Sequence, residues 1–73
     1  MFDRLLFRGK VVSVGLTLSE VAKKLDINYS TLDRKMSGKS EFTRAEIQRI
    51  RTILGCTSEE IDRIFFAEEL TET

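Results

Sequence analysis

The chain has 73 residues, 41% of them hydrophobic and 33% charged, with no proline, no histidine and a single cysteine. That length suits one small domain burying about 60% of its unfolded surface; no run of about 18 apolar residues and nothing like a cleavable signal peptide is present, so a soluble, cytoplasmic protein is expected. Twelve basic residues balance twelve acidic ones, and a formal net charge of zero excludes a uniformly basic or acidic chain.

Apolar periodicity predicts five helices and an all-α bundle across residues 1–73. The first runs roughly from Asp3 to Val14, with Phe2, Leu5, Leu6 and Gly9 on one stripe and Gly15 closing it. It includes Val11-Val12-Ser13-Val14, the only β-branched run, in a helical context. The second covers about Leu18 to Leu25, with Leu18, Val21, Ala22 and Leu25 at i, i+3, i+4, i+7. The third covers about Tyr29 to Met36 and ends at Ser37-Gly38; it offers only Leu32 and Met36 to a core. Its other face carries Ser30, Thr31, Arg34 and Lys35. The fourth spans roughly Arg44 to Leu54, with Ile47, Ile50, Ile53 and Leu54 inward and Gly55 ending it. The fifth begins near Ser58, carries a core stripe of Ile61, Ile64 and Phe65, and fades around Leu70.

Three helix starts share one chemistry. Leu16-Thr17-x-x-Glu20-Val21, Phe42-Thr43-x-x-Glu46-Ile47 and Cys56-Thr57-x-x-Glu60-Ile61 each read as a capping box inside a hydrophobic staple. The threonine accepts an unpaired N–H, and the glutamate complements the positive end of the helix. Ile27-Asn28-x-x-Thr31-Leu32 keeps the staple and a strong cap but has threonine where the others have glutamate. A carboxylate there would repel phosphate at the N-terminus of the third helix; ordinary sequence variation explains a single missing glutamate equally well.

Charge is unevenly placed. Residues 1–55 hold eleven Lys/Arg against six Asp/Glu, a balance of +5, and residues 56–73 hold one against six, a balance of −5. A basic front can attract phosphates; acids gathered on a solvated last helix give the same count.

Two amphipathic helices joined by a short turn, Leu16 to Lys39, have the layout of a helix-turn-helix. Leu16-Thr17, Glu20-Val21-Ala22-Lys23-Lys24-Leu25, Ile27, Ser30-Thr31-Leu32, Arg34-Lys35-Met36 and Gly38-Lys39 resemble the phage repressor/Cro-like (XRE) helix-turn-helix family, over most of the chain. The resemblance implies a five-helix fold of the lambda-repressor-like type. It also implies sequence-specific reading of double-stranded DNA, as in a phage or prophage repressor or a Cro-like regulator. Base contacts would come from Tyr29, Ser30, Thr31, Asp33 and Arg34. The Arg34 fork suits guanine O6 and N7, and Asp33 suits cytosine N4 or the orientation of a neighbour. Phosphate contacts would come from Lys10, Thr17, Ser19, Asn28, Lys39, Ser40, Thr43 and Arg44. Each is otherwise an ordinary solvent-facing residue. Two positions depart from the family's habit: Leu18 stands where glutamine often bonds a phosphate, and Asp26 stands where glycine is common in the turn.

The resemblance further implies a homodimer on paired half-sites. Phe65, Phe66 and Leu70 are the expected interface, unless the tail folds back over Phe2 or Phe7 of its own chain. Without histidine, a Gly-rich phosphate loop or converging carboxylates, neither an enzyme nor a metal or cofactor site is expected, and no small-molecule ligand or membrane partner. Cys56 permits no internal disulfide and fits a reducing compartment. The rival function is a protein-binding adaptor or antirepressor on the same scaffold, favoured by the zero net charge and Leu18.

Overall fold

Five helices form among the described residues, and four of them begin where a short polar side chain takes an unpaired N–H. In the computed structural model, which describes residues 1–66, these helices are α1 (Arg4–Ser13), α2 (Leu18–Lys24), α3 (Tyr29–Met36), α4 (Arg44–Leu54) and α5 (Ser58–Phe65). No strand occurs among the described residues. Thr17, Thr43 and Thr57 accept the N–H of Glu20, Glu46 and Glu60 at 3.1 Å, and each glutamate accepts the threonine N–H at 2.8 Å. All three boxes are therefore closed in both directions, satisfying donors the helix cannot.

The first helix corrects the predicted stripe. Asp3 is not its first residue but its cap, accepting the N–H of Leu6 at 3.0 Å. Phe2 and Phe7 thereby fall at the two positions of a hydrophobic staple, with ring centroids 5.3 Å apart. The staple sets the phase of α1, so Phe7 and Val11 are buried while Leu5 and Leu6 are 83% and 46% exposed. The N–H of Asp3 donates to the Ile64 carbonyl at 2.6 Å and pins the start of α1 to the end of α5.

The buried core takes Phe7 and Val11 from α1, and Val21, Ala22 and Leu25 from α2 and its cap. Leu32 and Met36 of α3 join Ile50 and Leu54 of α4 and Ile61, Ile64 and Phe65 of α5. Ile47 and Ile53, expected inward, are half-buried against it. Phe2, Phe42 and Phe65 form a ring cluster with centroids 5.0–5.3 Å apart and an edge-on Phe42–Phe65 pair at 86°. Such geometry adds about 0.5–1.5 kcal/mol per pair beyond area burial.

Phe65 is 7% exposed and belongs to the core of its own subunit, which corrects its assignment to an intersubunit contact. Phe66 caps α5 and is half-buried, 6.4 Å from the Phe65 ring. Leu70, to which the last helix was expected to extend, lies outside the described residues. No described helix is long and apolar enough to cross a membrane.

Candidate nucleic-acid interface

The turn between α2 and α3 is built from backbone bonds. The N–H of Asp26 donates to Lys23 and that of Ile27 to Ala22, both at 3.0 Å, with Asp26 at φ +61°. This is a Schellman turn with aspartate in the left-handed position that glycine usually fills. The same closure, with Gly38 at φ +89°, ends α3. Asp26 therefore leaves the turn backbone in the conformation a glycine would give it, and its carboxylate is exposed. Arg49 Nη1 of α4 reaches across to the Leu25 carbonyl at 3.5 Å, braced against the end of α2.

Leu32 and Met36 anchor α3 at 0% and 5% exposure. One side of a two-turn helix is thus spent on the core and the other is free. Tyr29, Ser30, Asp33 and Arg34 are exposed, Tyr29 at 50%, and Thr31 is half-buried between them and the core. Asn28 precedes the helix but makes no side-chain cap hydrogen bond, which corrects the expectation of a strong cap. With no acid in the first turn of α3, its N-terminal N–H groups lack the carboxylate that closes the start of α2, α4 and α5. A positive helix end left open in this way favours an anion.

The loop after α3 is clasped onto the helix. The Lys39 and Ser40 N–H groups donate to the Arg34 carbonyl at 2.9 and 3.3 Å. Lys39, Ser40, Thr43 and Arg44 are all exposed along this loop. Thr17 and Ser19 are exposed at the start of α2, the Thr17 and Thr43 hydroxyls already accepting capping N–H groups.

Two basic residues point elsewhere. Lys35 leaves the outer face of α3: its Nζ lies 3.0 Å from Glu46 Oε1 and donates to the Glu41 carbonyl at 3.0 Å, over the Phe42 ring. The pair is well covered, with side chains 11% and 16% exposed. Burial alone would raise the Glu46 pKa, but the Thr43 N–H and the Lys35 ammonium outweigh it and hold the carboxyl below its ordinary range. Lys35 is thus the clamp between α3 and α4. Lys10, the other, donates to Glu60 at 3.0 Å in the groove between α1 and α5. The Thr57 N–H and then Lys10 hold the Glu60 carboxyl below its usual range. Burial pushes the Cys56 thiol up.

Asp33 faces Arg4 of α1 at 3.7 Å, with both side chains about half exposed. A pair this open is worth about 0–1 kcal/mol and leaves Asp33 available. Leu18 is half-buried against the core and offers no polar group. Lys35, Glu46 and Arg49 carry positioning roles that helical spacing alone does not mark; the only hint in the sequence is that Glu46 belongs to a capping box beside a staple aromatic.

A family model described as the Cro/C1-type HTH DNA-binding domain matches residues 14–64, which spans α2 through most of α5. No curated protein and no solved structure matches the chain.

Proposed function

We propose that this chain, which belongs to the Cro/C1-type helix-turn-helix DNA-binding family, is a transcriptional regulator that reads a specific double-stranded operator with α3. The carrying observation is the start of α3: alone among the helices α2 to α5 it is uncapped by a side chain and free of acid. It also presents Ser30 and Arg34 on the side opposite Leu32 and Met36, with Tyr29 exposed at the first position of the helix and Thr31 half-buried at the flank. An α-helix fits the major groove, where Arg34 can pair bidentately with guanine and the hydroxyls can meet several base edges. Asn28, Ser19, Lys39, Ser40 and Arg44 would contact phosphates and set register. Thr17 and Thr43 can join them through their hydroxyl protons. The protein would work in the cytoplasm as a homodimer on paired half-sites, as a repressor of the phage or Cro-like kind and without catalysis.

Titrating mixed duplex DNA at two salt concentrations tests this reading. The cations of this set, Lys39 and Arg44, would neutralise about four phosphates in a homodimer and give a slope of log K on log salt of about −3.6, since each contributes about −0.9. Absence of binding at low salt would favour the adaptor reading, in which α3 meets a protein.

A further inference from the structure

α3 has an ion pair on each flank, and the two are built differently. Asp33 and Lys35 stand about 80° to either side of the Leu32–Met36 stripe. Lys35 pairs with Glu46 of α4 under cover. On the other flank Arg4 Nη2 of α1 lies 3.7 Å from Asp33 Oδ1, with the side chains 49% and 53% exposed. The first pair is a clamp; the second is too open to be one, since an exposed ion pair adds little to stability. Arg4 is also poorly placed for its own helix. It is the first residue of α1, where the helix dipole disfavours a positive charge. Neither the core nor the helix asks for an arginine there.

The place of Asp33 on α3 suggests what does. Asp33 follows Ser30 by three residues and Tyr29 by four, so these exposed side chains are its neighbours on the helix surface. A lone carboxylate at that edge would repel the DNA backbone. We propose that Asp33 is a strut and not a base reader: it holds the Arg4 guanidinium at the edge of the α3 face, where Arg4 takes a backbone phosphate beside the groove. This rests on the proposed function and adds to it a contact from α1.

The geometry of the pair suits that division of labour. A separation of 3.7 Å is longer than a hydrogen bond, so Asp33 fixes the position of the charge without consuming the N–H donors of the guanidinium. Those donors form a planar fork that matches two phosphate oxygens. The pair carries no net charge, so Asp33 costs the face nothing while Arg4 stays beside it. Arg4 then stands on the α1 side of α3, away from Lys39 and Arg44 on the loop and helix that follow α3.

Titration of a mixed-sequence duplex at two salt concentrations tests the assignment, using wild type, Arg4→Ala, Asp33→Asn and the double variant. Arg4 should steepen the salt slope by about 0.9 per bound subunit beyond the share of Lys39 and Arg44. Arg4→Ala should remove that share and weaken binding about tenfold per bound subunit at low salt, alike on all sequences. Arg4→Lys, which keeps the charge, should keep the slope. In the Asp33→Asn background Arg4→Ala should cost about two- to fivefold less, because an arginine that is not held contributes less. All variants should retain the wild-type helical circular dichroism, since both side chains are about half exposed. Selection from a random pool with Asp33→Asn should return the wild-type base preferences. A preference for cytosine lost at one position would make Asp33 a base reader and overturn the proposal. An Arg4→Ala protein with wild-type affinity and slope, or an equal cost in both backgrounds, overturns it too, with the DNA reading intact. A wild-type protein that binds no duplex at low salt refutes the DNA reading itself, and this proposal with it.

Discussion

Replacing Lys35 by methionine removes the clamp between α3 and α4 while leaving every exposed side chain of α3 in place. Lys35 makes an ion pair with Glu46 at 3.0 Å and a charge-assisted hydrogen bond to the Glu41 carbonyl at 3.0 Å, the latter a type worth about 1.5–3 kcal/mol net. With 11% and 16% of the side chains exposed, water screens the ion pair poorly, so the value of about 0–1 kcal/mol for surface pairs does not apply. Both contacts are lost. Two effects offset the loss: methionine retains the apolar stem beside Phe42, and Glu46 keeps the Thr43 N–H, so its carboxylate is not stranded. The net expectation is about 2 kcal/mol, or a fall in Tm of about 8–16 °C for a domain of this size.

Thermal and urea unfolding followed by circular dichroism at neutral pH gives the value directly. A double-mutant cycle with Glu46→Gln, which preserves the capping acceptor, should return a coupling of about 1–2 kcal/mol. A cost below about 0.5 kcal/mol with no coupling would refute the clamp. It would return Lys35 to the outer face of α3.

Asp26→Gly should stabilise by about 0.5–1 kcal/mol, because a left-handed backbone costs any residue with a Cβ more than it costs glycine; a urea midpoint that falls would contradict this. Glu46 and Glu60 have folded pKa values below ordinary, so the unfolded chain binds more protons. Their stabilisation is complete above the unfolded value of about 4.3 and is lost as pH falls through the folded values. Glu46→Gln should accordingly flatten stability against pH in that acid window, and an unchanged slope would show that Glu46 does not contribute. Lys39→Ala should reduce the magnitude of the salt slope for DNA by about 0.9 per bound subunit, one phosphate's share, and lower affinity alike for all sequences. An unchanged slope would remove Lys39 from the interface.

Helix positions were legible because each start advertises its own chemistry. The Thr-x-x-Glu boxes at Thr17, Thr43 and Thr57 place three helices to within a residue, and the glycine ends close α1, α3 and α4. The face of α1 differs from the one apolar spacing predicts because Asp3 is the cap and not the first residue of the helix. Once Asp3 is the cap, Phe2 and Phe7 become the staple, and the whole stripe rotates away from Leu5 and Leu6. On α3, the exposed positions of Ser30 and Arg34 follow from Leu32 and Met36 alone, whereas Tyr29, three and seven residues before them on the same stripe, is exposed at the first position of the helix. The direction taken by a long flexible side chain does not follow from spacing. Lys35 turns back to Glu46 and Lys10 to Glu60 because an acid from another helix lies within reach, a fact of tertiary packing. Phe65 belongs to the core for the same reason: Phe2 and Phe42, distant in sequence, meet it there.

The most direct measurement of base readout by α3 begins with selecting bound duplexes from a random pool. Wild type and Arg34→Ala are then compared on the selected site and on unrelated DNA at one salt concentration. If α3 reads the major groove, the variant loses about 1–3 kcal/mol on the selected site, little on unrelated DNA, and its preference at one guanine. Equal loss on both DNAs, or no loss on either, would contradict it.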